Sequence, residues 1–324
     1  MKNILIIKPS SFGDIIQSNP VLSALKKLYP GCRVTWLVFK EWKDVLELYP
    51  GLDGIIEWDR RGGLREYFRV IREIRKNKFD IVIDLQGLLR TAALGALSGA
   101  GIRIGVPGMK EFSGLLLKEV FPENAAMNAT LRSLETVRYL TNEKQEAVFN
   151  ITVPEAARKA SLDVLRGTTG RVVSIIPFVR GKAKQWPLKY FEELCSMILK
   201  SYPDITIAVI GGKNDRWVLG NKRIMDLCGK TSITELAGVL QRSSVVIGAD
   251  TGPAHLGAAM NIPSVVIFGG SDINETAPVS KKTALISKYF DCSPCRGRPE
   301  CRDYDCLKAI SPDEVFESAE KWLK

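Results

Sequence analysis

Short β-branched runs recur along this chain, each separated from the next by a stretch of helical length and period, and this alternation limits the fold more than any other feature. In the first half the runs are Asn3–Lys8, Arg33–Val38, Gly54–Trp58, Asp80–Asp84 and Arg103–Gly105. Helical stretches lie between them at Pro20–Leu28, Lys40–Leu48, Leu64–Lys76 and Leu89–Leu97, and Leu64, Phe68 and Ile71 line up as one apolar face. The pattern weakens from Glu111 to about Arg166, with a helix expected at Thr130–Leu140 and another at Glu155–Leu165. A second series follows, with strands at Arg171–Ile176, Ile205–Ile210, Val245–Ala249 and Ser264–Phe268. Its helices are expected at Leu188–Lys200, Arg216–Leu227, Ile233–Gln241 and Pro253–Met260. Strand–helix alternation of this spacing means right-handed crossovers onto a parallel sheet. The expectation is therefore α/β: two doubly wound parallel-sheet domains facing a cleft, residues 1–155 and 156–310. Ser311-Pro312 opens a last helix, 311–324, whose apolar face must dock and is expected to pack back on the N-terminal domain.

A chain of 324 residues suits two such domains, and 45% apolar with 25% charged residues is the balance of a globular protein. No apolar run approaches the roughly 20 residues that cross a bilayer, and the opening run of four is too short for a signal peptide. A cytoplasmic location is expected. The formal charge of +10, from 46 Lys and Arg against 36 Asp and Glu, favours anionic partners. Basic stretches lack interleaved aromatics and known reader motifs, so nucleic acid is not expected among them.

Ligands of such sheets bind outside the carboxyl ends of strands. "GADTGPAHLGAAM", Gly248 to Met260, follows a strand directly. Gly252 allows close backbone approach, Pro253 suits a first helical turn, and the helix start offers unpaired N–H groups to a phosphate. Asp250, Thr251 and the single histidine, His255, belong to that seat or merely cap and pack the helix. "VRGKAKQWP", Val179 to Pro187, places Lys184 on a basic loop able to reach a diphosphate. No GxxxxGKS/T loop and no GxGxxG start is present, which argues against a P-loop enzyme or an NAD-linked oxidoreductase. "KPSSFGD", Lys8 to Asp14, ends the first strand. There Asp14 reads equally as a carboxylate aimed at substrate or as a helix cap with Ser11, while Asn19-Pro20 competes as the helix start.

"KPSSFGDIIQSNPVLSALKKLYP", "FDIVIDLQGLLRTA", "KQWP" and "GADTGPAHLGAAMNIPSVVIFG" together resemble glycosyltransferase family 9, the ADP-heptose:lipopolysaccharide heptosyltransferases. The likeness spans almost the whole chain. It implies the GT-B architecture, two Rossmann-like domains about a cleft. It also implies inverting transfer of heptose from ADP-L-glycero-D-manno-heptose to the inner core, Kdo or first heptose, of a lipid A precursor at the cytoplasmic face of the inner membrane. By carry-over Asp14 is the general base and Lys184 neutralises the diphosphate. Ser10, Ser11, Gly13, Asp250, Thr251, Gly252 and His255 bind the donor. Arg60, Arg61 and Lys110 are the acceptor-side candidates. Relatives often carry His before the helix near residue 130, where this chain has Asn128. A non-catalytic nucleotide-sugar binder, or a member using another sugar, is the alternative.

Cys292, Cys295, Cys301 and Cys306 fall within fifteen residues, the ligand count of a tetrahedral zinc site though not its usual spacing. A structural Zn, disulfides and plain reduced thiols all stay open; catalysis is expected to need no cofactor. Asp303-Tyr304-Asp305 spells a metal-binding DxD but follows no strand.

Overall fold

The computed structural model describes every residue except 121–127, 169, 218–219, 297–300 and 302. Two compact units divide at Thr152 and Val153. The first carries β1 (Asn3–Ile7), β2 (Arg33–Phe39), β3 (Gly54–Trp58), β4 (Ile81–Asp84), β5 (Ile102–Gly105) and β6 (Lys118–Glu119), in the order β3-β2-β1-β4-β5-β6. The second carries β7 (Arg171–Ile176), β8 (Ile205–Val209), β9 (Ile224–Asp226), β10 (Ser243–Ala249), β11 (Ser264–Phe268) and β12 (Thr283–Ser287), in the order β12-β11-β10-β7-β8-β9. Both sheets are parallel throughout, and each reverses direction beside its first strand. β4, β8 and β11 are wholly buried because helices cover both faces, which is why they read as unbroken apolar runs.

The doubly wound α/β expectation holds, with four differences. The edge strands β6 and β12 were not expected: β6 is two residues long, and β12 alternates weakly, with Leu285 left 41% exposed. The helix expected at Arg216–Leu227 is not formed at any of its described residues. Ile224–Asp226 instead pairs with β8, the sheet edge overriding a helix-like spacing, while 218–219 lie outside the described residues. Helix Gly63–Asn77 has the expected period but a different phase. It buries Val70, Ile71 and Ile74, leaving Leu64 76% and Phe68 57% exposed. Finally, the last helix docks its apolar face within the second unit. Val315, Ala319 and Leu323 are fully buried in the second unit's own core, against helix Leu188–Ser201 and β10. Ser311 caps it, accepting from the Glu314 N–H at 3.2 Å.

Candidate active site

In the first unit the opening motif uses both of its competing helix starts. Two helices form, Phe12–Gln17 and Asn19–Leu28, broken at Ser18, so Pro20 sits in a first turn and costs no interior bond. Ser11 is the N-cap in extended conformation, and Asp14 lies in the first turn, with Gly13 helical beside it. Asp14 Oδ2 accepts from the Ser11 N–H at 2.9 Å and from Ser11 Oγ at 2.6 Å. The carboxylate is half-buried at the carboxyl edge of β1.

Lys8 and Asp84, to which sequence reasoning gave no role, stand beside it. Lys8 Nζ donates to Leu85 O at 3.1 Å. Burial pushes its amine below the usual range, while the charges of Asp14 and Asp84 pull it back up. Asp84, at the end of β4, is fully buried. Its Oδ1 accepts from the N–H groups of Gln86 at 2.9 Å and Gly87 at 3.2 Å, and its Oδ2 from Thr91 Oγ1 at 2.9 Å. Burial lifts this carboxyl to about 6 against the lowering by those donors and by Lys8. Gly87 takes φ +69, which a side chain would resist, and the turn so formed starts helix Leu89–Ala96.

That helix start carries Arg90, a third residue the sequence reading missed. Phe39, Trp58 and Tyr67 form an aromatic row, with centroids 5.0 and 5.7 Å apart. Arg90 Cζ lies 5.5 Å from the Phe39 centroid and 5.9 Å from Trp58, and Arg60 Cζ lies 5.8 Å from Phe39. Tyr67 OH donates to Arg90 O at 2.7 Å. Neither guanidinium is paired with an acid among the described residues. Arg61 is exposed on the same loop as Arg60, and its N–H binds Asp59 Oδ1 at 2.8 Å. Lys110 is exposed too, its N–H tied to Gly87 O at 2.8 Å. All the first-unit candidates thus follow the carboxyl ends of strands. Ser10 is only partly exposed. Asn128 caps helix Ala129–Thr141, accepting from the Thr130 N–H at 3.0 Å.

In the second unit, Asp250 ends β10 and is 3% exposed, so it is a hub and not a surface contact. Its Oδ2 accepts from Lys184 Nζ at 2.6 Å and Ser271 Oγ at 2.7 Å, and its Oδ1 meets His255 Nε2 at 2.8 Å. Burial alone would raise this carboxyl, but His255 and then Lys184 outweigh it and hold it well below the carboxylate range. His255 Nδ1 is buried without a hydrogen-bond partner. Thr251 is the N-cap of helix Gly252–Ala259, whose geometry leaves the Gly252 and Ala254 amides without intrahelical acceptors. Lys184 ends a single 3₁₀ turn, Lys182–Lys184. The Gly270 N–H holds that turn by donating to Ala183 O at 2.8 Å. A Cβ on Gly269 would stand 2.4 Å from the same oxygen, so only glycine lets the turn dock there. Within "KQWP", Trp186 is fully buried against Phe191 and Gln185 ties down Pro177 O at 2.7 Å, leaving Lys184 as the accessible member. Ser271 was missed because a serine after a strand carries no signal in one sequence.

The cysteines are all free, Cys295 and Cys306 buried, Cys301 half-buried and Cys292 exposed. Burial first, then the neighbouring thiols, pushes Cys306 up. No three metal-ligating side chains are gathered to hold an ion among the described residues, so the zinc alternative finds no support there. Residues 297–300 and 302 of that cluster lie outside the described residues.

The model of glycosyltransferase family 9 (heptosyltransferase) matches residues 67–304. The chain belongs to glycosyltransferase family 9. It is thus a glycosyltransferase, and the resemblance drawn from its four motifs holds. It is 26% identical to the lipopolysaccharide heptosyltransferase 1 of Campylobacter coli, over 97% of this chain and 96% of that one. It is 22% identical to the lipopolysaccharide heptosyltransferase 1 of Pseudomonas aeruginosa, over 90% and 85%. Among solved structures, E. coli ADP-heptose LPS heptosyltransferase II superposes with a TM-score of 0.84 at 20% identity, covering 100% of this chain and 98% of that one. E. coli heptosyltransferase WaaC with ADP superposes at 0.75 and 20% identity, covering 99% of each. These family 9 structures share the two-domain α/β architecture, the GT-B fold. No helix among the described residues is long and apolar enough to cross a membrane.

Proposed function

We propose that this glycosyltransferase moves a heptose from ADP-heptose to the inner core of a lipopolysaccharide precursor, with inversion, at the cytoplasmic membrane face. The observation that carries the reading is the charge cluster of Lys184, Asp250 and His255 at the start of helix Gly252–Ala259, in a family whose similar members include a heptosyltransferase with ADP. The donor's diphosphate oxygens accept from the Gly252 and Ala254 amides and from Lys184, which exchanges part of its pairing with Asp250 for the ligand. Asp250 acts through its partners: it positions Lys184 and His255. The same positive charges stabilise ADP as the anomeric C–O bond breaks.

Asp14 is the general base. The acceptor hydroxyl oxygen attacks the anomeric carbon from the face opposite ADP, and its proton passes to Asp14. Ser11 already fills Oδ2 with two donors, which fixes the carboxylate's orientation. Arg60 and Arg90, cations over one aromatic ring with no acid paired to them among the described residues, suit an acceptor bearing carboxylate or phosphate. Supplying ADP-heptose with acceptors that carry zero, one or two heptoses, and identifying the linkage, tests the reading. Product from one acceptor class is expected. ADP binding with no transfer to any acceptor favours the non-catalytic alternative.

A further inference from the structure

Helix Gly63–Asn77 of the first unit turns an unusual face outward. At 100° per residue, Leu64, Arg65, Phe68, Arg72, Arg75 and Lys76 fall within an arc of about 120°. All six are exposed, the two apolar ones by 76% and 57%. The helix's acids, Glu66 and Glu73, lie off that arc and are both paired by Arg69 on their own side. The four cations on the arc have no acidic partner among the described residues. A solvated helix face has no use for an exposed Leu and Phe one turn apart, and a packed face has no use for four unpaired cations.

We propose that this face docks the enzyme on an anionic lipid bilayer, Leu64 and Phe68 entering the headgroup boundary while Arg65, Arg72, Arg75 and Lys76 pair with lipid phosphates. Charge complementarity selects this occupant. A second copy of the chain would set four cations against four, and a nucleic acid would leave Leu64 unsatisfied. Apolar and cationic groups on one face is the pattern of an interfacial helix. The helix begins directly after Arg60 and Arg61. Docking through it would bring the aromatic–arginine row close to a lipid-anchored acceptor. The inference deepens the reading above, which supplies the reason for such a surface, but its test uses neither donor nor acceptor.

The full chain is sedimented with phosphatidylcholine vesicles, with and without phosphatidylglycerol. Binding is expected only with phosphatidylglycerol, and it should weaken as salt rises. Each lost cation should lower partitioning about fivefold, so Arg65→Gln/Arg72→Gln should lower it about 25-fold. Leu64→Gln/Phe68→Gln should lower it about tenfold or more. Lys281→Gln/Lys282→Gln, an exposed pair of the second unit, removes the same charge and should change partitioning little. Equal losses in both charge variants would reduce the effect to net charge and overturn the proposal. So would unchanged binding in the Leu64/Phe68 variant, or a dimer in light scattering that this variant dissolves. Circular dichroism and melting check that the surface variants fold. Absence of heptosyl transfer would sink the functional reading and leave the vesicle result standing.

Discussion

Replacing Asp250 by Asn removes one charge from a hub that three donors share. The side chain is 3% exposed and holds Lys184 at 2.6 Å, Ser271 at 2.7 Å and His255 at 2.8 Å. Removing one partner from a buried charge cluster costs about 3–5 kcal/mol. Two discounts apply. The Lys184 side chain is 40% exposed, so solvent screens its pairing and its share stays below about 1 kcal/mol. Asn also keeps one acceptor oxygen, retaining one bond of about 1 kcal/mol. The expected loss, measured by urea unfolding at neutral pH, is thus about 2–4 kcal/mol. The sign of the pH dependence follows from the native carboxyl lying below its unfolded value near 3.9. Its stabilisation is fully present above about pH 4 and is lost as pH falls towards the depressed native value. The gap between wild type and Asp250→Asn should therefore stay constant at pH 5–7 and narrow below about pH 4. Titration calorimetry should show ADP binding about tenfold weaker, because Lys184 and His255 lose their anchor. A stability loss under about 1 kcal/mol, with ADP affinity unchanged, would refute the hub.

Asp14→Ala should lower kcat by about 10²–10⁴-fold while ADP affinity holds, with about 1 kcal/mol of stability lost at the helix start; stopped-time product assays and urea melts read the two separately. Arg90→Ala should raise the acceptor KM about five- to tenfold with little change in the donor KM, as steady-state kinetics would show. Asp84→Asn should flatten a fall in stability that wild type shows as pH rises from about 4 to about 6. The native carboxyl is raised to about 6 and so contributes most below the unfolded value, up to about 3 kcal/mol.

What the sequence made legible was whatever a local pattern must repeat. Buried strands such as β8 and β11 announce themselves as apolar runs, and Pro253 and Thr251 mark a helix start through their own backbone chemistry. What it hid depends on partners distant along the chain. Ile224–Asp226 becomes strand only because β8 offers it an edge. The phase of helix Gly63–Asn77 is set by the sheet beneath it, so the period was readable and the buried side was not. Lys184 was visible as a basic loop residue, but not that Gly269 and Gly270, some 85 residues on, seat its turn. Arg90 gained its interest only when Phe39 and Trp58 were brought beneath it from two other strands.

The two readings of Asp14, helix cap and proposed base, are geometrically compatible. A general base needs a carboxylate whose orientation is held, and the Ser11 N–H and hydroxyl hold it through one oxygen at the first turn of a helix. The backbone break at Ser18 makes that first helix short, so the turn bearing Asp14 stays at the carboxyl edge of β1. Lys8 adds a cation close enough to favour the charged carboxylate, while Asp84, buried and raised to about 6, competes for that same cation. The buried acid of "FDIVIDLQG" holds the turn that launches Arg90 and shares the Lys8 cation with the proposed base, and neither contact could be assigned from the motif alone.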